Sequence, residues 1–343
     1  MEEEEQGGQD GRDTKQASLM TLPSELILLI AENLQMYDVN SLLQCNSRLH
    51  GLLNIPLYRR DAQDESKAIG TATRNSDIDL TRRILDAGLN PNSGWSETFL
   101  QDHLLFKAVK QRCNARDGTF NETELAAFFA KNYLLIEYLV SQGANVNNFD
   151  QPLCSPFRYI VANGDINLVR LFLENGADVS AKDGEGTGLA YVIIDETQID
   201  NPSNAALLET LRLLFDHKLD PNVVDSWGHT PLHYHIYRVG CSIAWTRMLN
   251  RRDVSDEIIE EILKILLEYG ADINARDELG ETPLSLAMDF VQDEPICAKL
   301  LLLYGADTSL VALPTDAARY KAALEVRDEV RQITGRDFVF LDT

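Results

Sequence analysis

The sequence has no apolar run long enough to cross a bilayer. Its longest, Leu26 to Ala31 and Leu300 to Tyr304, fall far short of the roughly 20 residues a spanning helix needs. Cysteine is sparse. The five, Cys45, Cys113, Cys154, Cys241 and Cys297, form no close pair, which excludes a disulfide framework or a zinc knuckle and fits thiols in a reducing compartment. Positive charge is short as well: 31 Lys and Arg stand against 54 Asp and Glu, a net −23. That balance speaks against direct nucleic-acid binding, where Lys and Arg must neutralise phosphates, and against an anionic membrane surface. The start, Met1-Glu2-Glu3-Glu4-Glu5, is the opposite of a signal peptide. An intracellular protein is expected, nuclear or cytoplasmic or both; Arg251-Arg252 is too short for an import signal. No nucleophile elbow, P-loop, zinc-protease or kinase motif occurs. No enzyme activity, cofactor, metal or small-molecule substrate is expected.

What is present divides in three. The 343 residues allow two or three domains, and the 44% hydrophobic share is ordinary for a folded protein. Residues 1–17 carry six acidic and two basic side chains and read as a disordered acidic leader. Residues 18–60 form a compact apolar block. In it Pro23 suits a first helical turn, and Leu26, Ile27, Ile30 and Leu34 share one helical face. A second helix is expected to start near Asp38 and to carry Leu42, Leu43 and Leu49.

Leu22-Pro23-Ser24-Glu25-Leu26, followed by Ile30, Leu34, Asp38, Leu42-Leu43 and Leu49, resembles an F-box over about 40 residues. The family usually closes its middle helix on Val-x-(Lys/Arg)-x-(Trp/Phe). Here Cys45-Asn46-Ser47-Arg48-Leu49 stands instead, a variant similar to F-box-like segments of fungal ankyrin proteins. The resemblance implies that Leu22, Pro23, Leu26, Ile30 and Leu34 face the adaptor subunit linking F-box proteins to a cullin ubiquitin ligase. The alternative is a small N-terminal helical cap that packs on the first repeat of residues 65–310 and binds nothing.

Residues 65–310 repeat. Gly88-Leu89-Asn90, Gly143-Ala144-Asn145, Gly176-Ala177-Asp178, Lys218-Leu219-Asp220, Gly270-Ala271-Asp272 and Gly305-Ala306-Asp307 recur at spacings of 55, 33, 42, 52 and 35. Each follows an apolar helical pattern, and the glycine that opens five of the six suits a helix C′ position. Gly228-His229-Thr230-Pro231-Leu232-His233 and Gly280-Glu281-Thr282-Pro283-Leu284 supply a capped first helix, and Ser155-Pro156-Phe157 is a variant. The period near 33 and the Thr-Pro-Leu-His motif resemble the ankyrin repeat. The expected fold is all-α: about six ankyrin repeats as a solenoid, preceded by the small F-box-like three-helix block. The first two repeats lack Thr-Pro-Leu, and the fourth is degenerate around Thr187-Gly188-Leu189. Insertions near 110–130, 192–204 and 238–255 either lengthen helices or form loops on one rim. In 311–343, Ala317, Tyr320, Ala323, Leu324 and Val330 predict a capping helix interrupted by Arg327, and Phe338-Val339-Phe340-Leu341 a tucked strand or, as the alternative, a short exposed motif.

Stacked repeats present turn tips and first helices to a partner. The expected tips include Asp150, Asp183, Asp225, Ser226, Trp227, Asp277 and Glu278, and the candidate contacts are Trp227, Tyr234, Tyr237 and Arg238. Gly184-Glu185-Gly186-Thr187-Gly188 is read as a repeat-to-repeat turn, not a dinucleotide loop. His229, His233 and His235 are close enough to suggest a metal, but His233 fills the structural histidine of Thr-Pro-Leu-His. The functional expectation is a non-enzymatic substrate-recognition subunit of an SCF-type ligase. Its rival is a nuclear transcriptional co-regulator acting through protein partners.

Overall fold

The computed structural model describes residues 22–34, 38–39, 42, 47–49, 52–53, 67–86, 88–92, 104–115, 121–148, 155–197, 203–246 and 255–341, with backbone only at 67–69 and 241–246. The expected acidic leader, Leu43, Cys45 and Asp150 lie outside them. Two compact units are present, Met1–Ala72 with Asp77–Asn90, and Thr73–Ser76 with Pro91–Thr343.

In the first unit, α1 (Ser24–Glu32) starts one residue after the expected position, with Pro23 as N-cap. The Pro23 carbonyl accepts from Leu26 N–H at 3.1 Å and Ile27 N–H at 3.2 Å. Ile27 and Ala31 are buried against Val39, Leu49 and Leu53, with Leu22, Leu28, Leu34, Leu42 and Leu52 packed around them. The buried face is therefore rotated from the expected one: Leu26 and Ile30 point to solvent while Ile27 is core. Asp38 is itself helical rather than a cap. Further along, α2 spans Lys67–Asn75 and α3 Ile78–Asp86. Asp77 Oδ1 caps α3 by accepting from Leu80 N–H at 2.9 Å.

The second unit consists of helix pairs. They are α4 (Leu104–Asn114) with α5 (Glu122–Ser141), α6 (Pro156–Ala162) with α7 (Ile166–Glu174), and α8 (Leu189–Glu196) with α9 (Asn204–Asp216). Then come α10 (Pro231–Thr246) with α11 (Asp256–Glu268), α12 (Pro283–Phe290) with α13 (Pro295–Leu303), and a final α14 (Ala317–Thr334). First helices pack in a row, α4 on α6, α6 on α8, α8 on α10 and α10 on α12; second helices α7, α9, α11 and α13 form a second row. Polar residues placed just before the apolar runs start these helices. Asn121 and Glu124 form a capping box on α5, Ser155 caps α6 ahead of Pro156, and Thr282 caps α12 ahead of Pro283. Each helix pair then ends on a Schellman turn, as where Gly176 N–H donates to Leu173 O at 3.1 Å and Ala177 N–H to Phe172 O at 2.9 Å.

Among the described residues the first and third insertions lengthen helices, giving α5 twenty residues and α10 sixteen. The capping helix packs on α13 and α12, through Ala323, Val326 and Val330. Tyr320 is exposed instead, and Arg327 avoids interrupting the stripe by turning outward to Asp328 at 2.7 Å. Of the last segment only Phe340 is buried; Val339 and Leu341 are exposed. Leu341 N–H donates to Val311 O at 2.9 Å, the edge of a lone parallel bridge between Ala312 and Leu341. Among the described residues there is no named strand.

Candidate protein-binding surfaces

Three successive fingertips share one architecture, set by Asp183, Asp225 and Asp277. Each uses Oδ1 to accept from the backbone N–H two and four residues on: Glu185 and Thr187 at 3.0 and 2.9 Å, Trp227 and His229 at 2.9 and 3.0 Å, Leu279 and Glu281 at 2.9 and 2.8 Å. Main-chain bonds close each loop, from Asp225 N–H to His229 O at 3.1 Å and from Asp277 N–H to Glu281 O at 3.0 Å. Neighbouring tips pair as well: Ser226 N–H donates to Glu185 O at 3.1 Å and Glu278 N–H to Trp227 O at 3.3 Å. Gly228 sits at that junction with φ +77°, where a Cβ would come within 2.8 Å of Glu278 N. Asp183 shows the electrostatic outcome. Burial raises its pKa, but hydrogen bonds from Thr187 and Glu185 and the nearby Arg158 guanidinium outweigh it and hold the carboxyl below its usual range.

Asp225 and Asp277 are thus buried structural groups, not the contact tips expected. Presentation falls to the residue two positions on, which is Glu185, Trp227 and Leu279 in turn. Trp227 is 59% exposed and Leu279 85%.

Below the tips, the histidines serve the fold. His233 is fully buried. Its Nδ1 accepts from Thr230 N–H at 3.2 Å and its Nε2 donates to Glu281 O at 3.1 Å. Burial lowers its pKa against the pull of that Glu281 bond. His235 is buried too, donates to Ile259 O at 3.1 Å, and is pushed down to about 4 by desolvation. His229 lies 3.5 Å from a carboxylate oxygen of both Asp225 and Asp277. Its ring is 6.3 Å from those of Trp227 and Tyr237. Among the described residues no group of three His, Cys, Asp or Glu is placed to hold a metal.

In the same loops between helix pairs, ahead of the tips, an asparagine joins one repeat to the next. Asn147 Nδ2 donates to Gly176 O at 2.8 Å and its Oδ1 accepts from Asp178 N–H at 2.8 Å. Asn92 bridges to Gly143 and Asn145 in the same way, and Asn222 to Gly270 and Asp272.

An ankyrin repeat domain from Acinetobacter baumannii, known from its crystal structure, matches with a TM-score of 0.51. The match covers 70% of this chain and 98% of that one at 24% identity. The fold is an ankyrin-repeat solenoid. Ankyrin repeat protein FPV244 of Fowlpox virus is 25% identical over 246 residues, 62% of this chain and 36% of its own length. Palmitoyltransferase AKR1 of Lachancea kluyveri is 28% identical over 174 residues, 50% of this chain but 20% of that protein. The chain thus spans well under half the length of either relative. No family model matches it.

On the ankyrin first-helix row, Tyr237 is exposed. Tyr234 is half-buried, its hydroxyl donating to Asp195 Oδ1 at 2.7 Å while its ring meets Tyr191 edge-on at 5.1 Å. Arg238 pairs with the same Asp195 at 3.2 Å. The sequence reading placed Tyr234, Tyr237 and Arg238 here but missed Asp195, which has no motif and becomes a partner only when α8 packs on α10.

Between α6 and α8 lies a cleft of about 250 Å³, lined by Arg158, Tyr159, Ala162, Val192, Asp195 and Glu196. Burial, with the adjacent Asp195 charge, raises the Glu196 pKa, partly offset by Arg238.

In the amino-terminal unit, Leu26 is 46%, Leu29 57% and Ile30 38% exposed, beside exposed Pro23. Leu22 and Leu34 are half-buried on the core of the block. Leu29 was not among the expected contacts. It lies three residues from Leu26, a spacing that places both on one helical side.

Proposed function

We propose that this chain is a non-enzymatic adaptor. Its ankyrin repeats hold one protein, and α1 docks on the cullin-linked adaptor subunit of an SCF-type ubiquitin ligase, bringing the held protein to ubiquitin transfer by proximity alone. The carrying observation is that α1 uses Ile27 and Ala31 for its own core and leaves Leu26, Leu29 and Ile30 in solvent. Three neighbouring aliphatic side chains on one helix form the kind of exposed apolar patch that marks a protein contact. Trp227 and Tyr237 support the protein-holding half, because large exposed aromatics dominate binding hot spots.

The test is co-expression of the full chain with the cullin-linked adaptor, beside Leu26→Lys/Ile30→Lys. The native chain co-elutes; the variant does not, yet melts at the same temperature, because neither side chain is core. A folded native chain that elutes alone sinks the docking half. Preference then moves to a transcriptional co-regulator acting through protein partners, with the amino-terminal block purely structural.

A further inference from the structure

We propose that His229 is a proton-operated clasp between two fingertips: as an imidazolium it holds the buried carboxylates of Asp225 and Asp277 at once, and as a neutral ring it releases one of them. Trp227 and Leu279, the exposed ends of those two tips, are fixed against each other when the proton is bound and loosened when it leaves. The bearing on a held protein rests on the reading of the repeats as a protein-holding surface; the clasp itself does not.

Geometry is the first argument. Asp225 and Asp277 use Oδ1 for backbone N–H groups. They turn Oδ2 to opposite nitrogens of the His229 ring, Asp225 to Nδ1 and Asp277 to Nε2, each at 3.5 Å. A neutral imidazole has one N–H and one bare nitrogen, so in that form one lone pair faces a carboxylate. Only the doubly protonated ring donates to both. Because the carboxylates lie at opposite nitrogens, the countercharge between them is the imidazolium itself. Charge is the second argument. Both aspartate side chains are 1% exposed, and among the described residues neither pairs with a Lys or Arg. Asp225 Oδ2 is buried without a hydrogen-bond partner. A proton on His229 supplies the missing partner with little movement, since the gap lies just beyond hydrogen-bond length.

The surroundings are the third argument. The His229 main chain is anchored: its N–H donates to Asp225 Oδ1 at 3.0 Å, and its carbonyl accepts from Asp225 N–H at 3.1 Å and from the Tyr191 hydroxyl at 2.6 Å. From α10, the rings of His233 and Tyr237 lie 6.0 and 6.3 Å away. Burial disfavours charge on His233. From α8, Tyr191 is pushed up by burial and by Asp225. From the next tip, Glu281 adds a third carboxyl: burial and the Asp277 and Asp289 charges raise its pKa, and His229 offsets them. The groups facing His229 therefore draw a proton to it.

The test begins with long-range proton–nitrogen correlation spectra of the full chain labelled at histidine, recorded from about pH 8 to pH 5, where histidine changes charge. His229→Gln assigns the signal. The native ring is expected to carry protons on both nitrogens at the acid end. Amide exchange, corrected for its intrinsic pH dependence, gives the second reading. On acidification, protection of the Glu278 N–H, which bonds Trp227 O across the tips, should rise about tenfold more in the native chain than in His229→Gln, the scale of one charge-assisted hydrogen bond. Asp277→Asn, which keeps Oδ1 for the backbone and loses the charge, should behave like His229→Gln. A native His229 ring that holds a single proton throughout overturns the clasp. So does a doubly protonated ring with Glu278 protection that changes equally in all three chains. Neither result touches the protein-holding reading, because no partner enters the measurement.

Discussion

Asp277 makes its tip by accepting two backbone N–H bonds through one buried oxygen, so its removal leaves two donors without a partner. Asp277→Ala is expected to cost about 2–3 kcal/mol in urea unfolding, and Asp277→Asn, which keeps Oδ1, less than half of that. His235 gives the fold an acid sensitivity. Its pKa is near 4 when folded and about 6.5 in the unfolded chain. The unfolded chain binds the proton first, so this contribution is whole above pH 6.5 and is lost as pH falls toward 4. His233 shifts the same way. Roughly 2 kcal/mol from His235 should disappear between pH 7 and 5, and chemical denaturation of His235→Gln should show a flatter pH dependence. A native chain equally stable at both pH values contradicts the account of His235. At this scale the exposure of Trp227 was legible, because a tryptophan beside a Thr-Pro-Leu-His turn is conspicuous. Leu279 was not: a lone leucine in a turn gains meaning only when the tips are aligned on Asp225 and Asp277.

The helices were legible from apolar spacing and from caps such as Thr282-Pro283, but the phase of α1 was not. Every position from Leu26 to Ala31 is apolar, so no pattern could say which side is core. Burial decides it, and Ile27→Ala should cost about 2–4 kcal/mol of the amino-terminal unit's stability, whereas Leu26→Lys should cost little. Thermal melts of the two variants separate these outcomes, and equal losses would return Leu26 to the core. The asparagine staples escaped the sequence reading because the repeating triplet drew attention to its own glycine. The working residue lies four positions after the first residue of the triplet, at Asn92, Asn147, Asn222 and Asn274. Losing two exposed hydrogen bonds, Asn222→Ala should lower stability by about 1–2 kcal/mol in urea titration.

For the molecule as a whole, spacing near 33 residues was enough to find the solenoid, because each repeat must bury its faces on its neighbours. Candidate contact residues were less legible, since side chains from different repeats come together only in the fold, as Asp195 and Arg238 do. The insertions were ambiguous for a related reason: helix propensity did not distinguish a longer α10 from a loop, and packing on α8 and α12 accompanies the longer helix. As the proposed adaptor, the protein would use one contact surface in each of its two units. Hydrogen exchange of the full chain, alone and with saturating cullin-linked adaptor, tests it most directly. The account predicts new protection in peptides spanning 24–32 and none in those spanning 225–240. A folded chain with unchanged exchange at 24–32, or with protection gained at 225–240 instead, would contradict it.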